Sequence, residues 1–134
     1  MATYTKFNPF VEALAEKKHD LGSDTLTVAL TTSAPAATNT QLSDLTEISY
    51  TNLSSRVLAG VTSAQTSGTY KLDADDLVLT ASGTVADFRY VVLYNDTATN
   101  DELIGWYDYG STVSLLNGET FTITWDAAGI LTLA

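Results

Sequence analysis

Asp87, Asp108, Glu119 and Asp126 stand near the ends of apolar, β-branched runs, where a pair of acids could act on a glycosidic bond. That reaction needs two carboxyl groups roughly 5–9.5 Å apart across a cleft, one to give a proton and one to attack or to activate water. A chain of 134 residues has little material left to wall such a cleft once its core is built. A further acidic stretch, Asp73-Ala74-Asp75-Asp76, offers the oxygen ligands that a hard cation wants. It lacks the glycine and the distal glutamate of a calcium loop, and reads as a solvated turn. His19 is the only histidine and follows Lys17 and Lys18, with no serine arrangement pointing to it. A single histidine excludes a histidine-rich metal centre, and a serine triad has nothing here to support it. Neither a phosphate-cradling glycine loop nor a βαβ nucleotide pattern is present. The chain is read as a non-enzyme with no cofactor and no metal.

Aromatic residues offer a different chemistry. Trp106, Tyr107 and Tyr109 flank Asp108, and rings with polar edges suit the faces of sugars. A glycan-binding or host-attachment module is therefore one reading of the sequence. The competing and favoured reading is that Trp106 and Trp125 fill the space between two sheets.

Composition narrows the partners. Six Lys and Arg against sixteen Asp and Glu give a net charge of −10, and no cysteine is present. Such a chain is repelled by phosphate backbones and anionic lipid, so neither nucleic acid nor membrane is an expected partner. Without cysteine, disulfides and thiolate chemistry are excluded, and the core must hold by packing. The N-terminal residues lack a basic start and an apolar run, and no stretch approaches the ~18 apolar residues of a membrane span. A signal peptide or membrane segment is not expected.

The elements that would position these residues are mostly strands. Val85–Trp125 is the spine: Phe88–Tyr94, Leu103–Tyr109 and Phe121–Trp125 are rich in β-branched and aromatic residues and are separated by polar or glycine-bearing turns. Apolar residues on both faces of 88–94 predict a strand covered on both sides. Arg89 should find a carboxylate, and Asp108 on the returning strand is the first candidate. Asn8-Pro9 reads as a helix start, with Asn8 as cap, for an amphipathic helix over about residues 8–18. Residues 24–31 alternate as a half-buried strand, with Leu26, Val28 and Leu30 on one face. Residues 50–66 carry only a weak pattern, an irregular strand or an extended arm. Asn117-Gly118 and Asp126–Gly129 predict two closing hairpins. The sum is one all-β domain over 1–134, an antiparallel β-sandwich of about eight strands with one short N-terminal helix, and many short strands joined by turns favour a jelly roll.

Several of these segments carry a family likeness. Phe88–Asp96, Leu103–Gly110 and Gly118–Asp126, with Lys6-Phe7-Asn8 before a helix and Thr25–Thr31 leading to Ala34-Pro35, resemble small virion proteins of tailed bacteriophages. The likeness runs nearly end to end and is faintest from Tyr50 to Ser67. It is to the jelly-roll capsid cement, or decoration, proteins. The resemblance implies a structural virion protein made in the host cytoplasm that binds the outside of an assembled head. There it would bridge subunits of the major capsid protein and stabilise the shell, as a homodimer or other homo-oligomer. A tail or head-completion component is a further alternative. No motif transfers contact residues one by one. Tyr4, Phe7 and Phe10 are expected contacts because an apolar chain end needs something to cover it. The polar loop from Asn95 to Glu102, with Asn95, Asp96 and Asp101, is the second expected surface.

Overall fold

A computed structural model describes residues 2–134. In chain order the elements are β1 (Tyr4–Lys6), α1 (Asn8–Ala15), β2 (Leu26–Thr31), a 3-10 turn (Leu42–Asp44), β3 (Thr62–Thr66), β4 (Thr69–Asp73), β5 (Leu77–Thr80), β6 (Val85–Asn95), β7 (Leu103–Leu115), β8 (Thr120–Ile123) and β9 (Leu131–Leu133). The expected antiparallel β-rich domain with an N-terminal helix is present, with nine strands divided among three sheets. A four-stranded sheet runs β1-β7-β6-β2, a three-stranded sheet β3-β4-β9, and β5 pairs with β8.

The spine is β6 and β7, the two longest strands, paired from Val85↔Leu115 to Tyr94↔Leu103 with bulges along the way. Val91 to Asn95 are buried in unbroken succession, because neighbours cover both faces of this part of β6. Beside it, β2 departs from its expected half-burial: all six of its residues are buried. The segment 48–58 lies along the outer edge of β2. The Ile48 and Leu58 N–H groups donate to the Leu30 and Leu26 carbonyls, and the Val28 N–H donates to the Arg56 carbonyl. Arg56 Nη1 also donates to the Val28 carbonyl at 2.6 Å, with its guanidinium 3.5 Å from the centre of the Tyr50 ring. The weakly patterned stretch is thus in part a strap that shields an edge from other chains. Its remainder becomes β3, every residue of which is exposed.

The helix is shorter than expected. Phe7, in extended conformation, occupies the cap position, so Asn8 and Pro9 open the first turn instead of Asn8 capping it. Lys17 adopts φ +66° and stops the helix. Its N–H donates to the Leu14 carbonyl and that of Lys18 to Ala13, the pairing of a Schellman end, built here on lysine where glycine is usual.

Neither closing hairpin forms. Asn117-Gly118 does make a turn, with the Glu119 N–H donating to the Leu116 carbonyl, yet β8 leaves it to pair with β5 instead of β7. Asp126–Gly129 likewise turns the chain out of β8 into β9, which pairs with β4. Both are corners between sheets. The tight hairpin is β3–β4, where Ser67 and Gly68 both take positive φ.

Candidate interaction surface

The N-terminal residues meet the C-terminal strand at an open groove of about 610 Å³, lined by Tyr4, Lys6, Phe10, Tyr107, Asp126 and Leu133 among others. Tyr4 lies across β7: its ring centre is 5.6 Å from that of Tyr107, which in turn is 5.8 Å from Trp125. Gly105 makes this possible, since a Cβ there would stand 2.2 Å from the Tyr4 ring. The Tyr4 hydroxyl is buried with no hydrogen-bond partner among the described residues, and burial pushes its ionisation well above the ordinary tyrosine range.

Phe7 and Phe10 are not presented to a partner. Phe7 is wholly buried, its ring centre 4.5 Å from that of Trp106, and Phe10 is buried with its ring 5.2 Å from His19. Both rings are covered by the chain's own side chains, which removes the reason for expecting an outside cover at these two positions, while Val11 on the same helix stays exposed. Of the N-terminal candidates, Tyr4 and Phe10 line the groove, and of the two Tyr4 is the one that is half-buried and keeps exposed surface.

The loop after β6 is also more tightly held than its polar sequence suggests. Asn95 is completely buried, and its side-chain oxygen accepts the Thr97 and Ala98 N–H groups. The Asp96 N–H donates to the Thr25 carbonyl, the Thr25 N–H to Thr97 Oγ1, and the Leu42 N–H to the Asp101 carbonyl. Asp101 has φ +53°. Burial first, and then the negative charges of Asp96, Glu102 and Glu47, raise its carboxyl above the ordinary value. Asp96 is exposed and Asp101 partly so, while Asn95 faces inward.

Two of the expected surfaces share a buried junction. His19 is buried with Nδ1 3.0 Å from Asn95 Nδ2, and Asn95 Nδ2 also donates to Asp24 Oδ2 at 2.6 Å. Phe10, packed at a tilt against His19, is thereby tied to the loop that begins at Asn95. Sequence reasoning missed His19, Asp24 and Glu102 as members of this cluster, because His19 and Asn95 are 76 residues apart. The only local signal was a histidine among lysines.

The four carboxylates singled out for catalysis are each engaged locally. Asp108 accepts Arg89 Nε at 2.8 Å and Nη2 at 3.1 Å, the predicted cross-strand pair, and also the Gly110 N–H. The Arg89 hydrogen bonds, followed by that of Gly110, lower the Asp108 ionisation. Asp87 accepts the Ser114 hydroxyl, Glu119 the Leu116 N–H and Asp126 the Ala128 N–H. In the acidic turn, the Asp75 carbonyl accepts the Trp125 indole N–H at 2.9 Å. No cluster of three or more potential metal ligands occurs among the described residues.

Nor do the aromatic rings make one platform. Trp106 leans on Phe7, whereas its chain neighbour Tyr107 packs on Trp125 and Tyr109 on Phe121. Successive strand residues point to opposite faces, so the three rings are divided between the two sides of β7. Trp125 is buried as expected, while Trp106 is half-buried. Comparison of the chain with known protein families, with curated proteins and with solved structures finds no match.

Proposed function

We propose that this chain is a structural virion protein of a tailed bacteriophage, made in the host cytoplasm. It binds the outer surface of the assembled capsid, bridges neighbouring major capsid subunits and stabilises the head, acting as a homodimer or other homo-oligomer. A jelly-roll arrangement of the strands belongs to the same proposal. The observation that carries it is the sequence resemblance of 88–96, 103–110 and 118–126 to the decoration proteins. Those segments supply β6, β7 and β8, so the likeness lies in the load-carrying scaffold. The net charge of −10 fits an outer capsid face better than one lying against packaged DNA. Tyr4 at its groove, with Asp96 and Asp101 on the loop, are the proposed contacts, since these candidates keep a solvent-facing position. A weak contact repeated over a lattice gains strength when each copy bridges two subunits.

Heating virions with and without the protein tests this reading. Particles stripped of it are expected to release DNA at a lower temperature, and purified protein added back should restore the original value. An unchanged release temperature contradicts the proposal.

A further inference from the structure

The junction of His19, Asn95, Asp24 and Glu102 fixes more than packing. Asn95 is held on all sides: its Oδ1 accepts two backbone N–H groups, at 3.0 Å from Thr97 and 3.1 Å from Ala98. An amide nitrogen in that place would set donor against donor, so the orientation of the side chain is determined. Both hydrogens of Nδ2 are then spoken for, one by Asp24 Oδ2 and one by His19 Nδ1. His19 Nδ1 must therefore be an acceptor, and the neutral ring carries its proton on Nε2. On the far side of the ring the Nε2–H is buried without a partner among the described residues, as is the Oε2 acceptor of Glu102.

We propose that the His19–Asn95 hydrogen bond is an acid-sensitive latch joining the exit of α1 to the β6–β7 loop. A proton taken from solvent onto Nδ1 turns the acceptor into a donor aimed at Asn95 Nδ2–H. The bond cannot survive, and the ring must turn or leave. The protonated ring is not without partners: Glu102 and Asp24 attract it, whereas Lys18 repels it. Lys17 and Asp20, from the same turn after the helix, line the adjoining clefts and complete the charged surroundings. Loss of the latch leaves Asn95 Nδ2 held by Asp24 alone and loosens the seat of the two N–H groups that start the loop. This inference concerns the chain itself and stands whether or not the virion reading is correct.

The direction of the pH effect follows. Burial is the largest influence on His19 and lowers its protonation below the ordinary 6.5, outweighing the attraction of Glu102 and Asp24. The unfolded chain therefore takes up the proton first as pH falls. Stability conferred by the neutral histidine is complete above pH 6.5 and is lost between there and the folded-state value, by up to tenfold in the unfolding constant per pH unit.

The test compares the wild-type chain with His19→Asn, which offers an amide oxygen where Nδ1 stood but cannot titrate. Nitrogen-resolved NMR of the wild-type imidazole should show the Nε2–H form and a midpoint below 6.5. Amide exchange at Thr97 and Ala98, compared between pH 7 and 5.5, should accelerate in the wild type beyond the intrinsic pH effect and stay unaccelerated in the variant. An Nδ1–H tautomer, a midpoint at or above 6.5, or equal acceleration in both chains overturns the proposal. If His19→Asn does not fold, the wild-type titration and tautomer decide alone.

Discussion

Trp125 and Trp106 differ in how they are held, and the difference is measurable. Trp125 is 5% exposed and donates its indole N–H to the Asp75 carbonyl. Trp125→Ala removes a buried ring and leaves that carbonyl unpaired, at a cost of about 3–5 kcal/mol. Half-buried Trp106 has less to lose, so Trp106→Ala should cost clearly less in urea unfolding at neutral pH. Equal costs would mean that the two rings are equally enclosed. Tyr4 presents the reverse case. Its hydroxyl is buried without a partner among the described residues, so Tyr4→Phe removes a desolvation penalty and leaves stability unchanged or raises it by about 1 kcal/mol. A drop in the urea midpoint would place a hydrogen-bond partner on that oxygen. Burial also pushes Tyr50 and Tyr107 above the ordinary 10.0, as it does Tyr4. The unfolded chain ionises these phenols first, so stability should fall as pH rises past 10. Spectrophotometric titration at 295 nm should show late-ionising tyrosines that appear only with unfolding.

At the scale of elements, β1 depends on a missing side chain. Gly105→Ala would push a Cβ into the Tyr4 ring, so the ring must leave its seat on β7 and the short strand loses its anchor. Amide exchange across residues 4–6 should rise strongly in that variant while the β6–β7 pair stays protected. Unchanged exchange there would show that Tyr4 is not what holds β1. The same elements show which features could be read from sequence. Arg89 and Asp108 were paired correctly because one strand follows the other across a loop and the charges on an acidic chain are few. Asn117-Gly118 was read correctly as a turn and wrongly as a hairpin, since turn chemistry is local while the partner of β8 is β5, some forty residues upstream. β3 lies in the stretch read only as an irregular strand or an extended arm, because all its residues are exposed and no alternation marks it. The helix overran in the reading because a lysine, not a glycine, takes the left-handed position that ends it. Phe7 and Phe10 looked like an uncovered end because their covers, Trp106 and His19, come from β7 and from the turn after the helix.

For the whole molecule, the interior is held by packing, with Leu, Val, Ile and aromatic side chains buried from every sheet and no cysteine to cross-link it. Phe88 and Ile104 from the four-stranded sheet, Leu72 from the three-stranded sheet and Leu79 from the two-stranded one are all wholly buried in one cluster, so the sheets share one core. Surface charge of one predominant sign keeps free copies apart in solution, so the proposed capsid binding calls for a face that supplies matching cations or apolar contacts. A capsid lattice supplies such contacts many times over, whereas a tail or portal offers few equivalent positions. Counting copies of the chain per purified virion therefore separates a capsid-surface protein from a tail or head-completion component. The capsid-decoration account predicts on the order of hundreds of copies, in proportion to the major capsid protein. A count of a few to dozens would contradict it and assign the chain to the tail or the head-completion machinery.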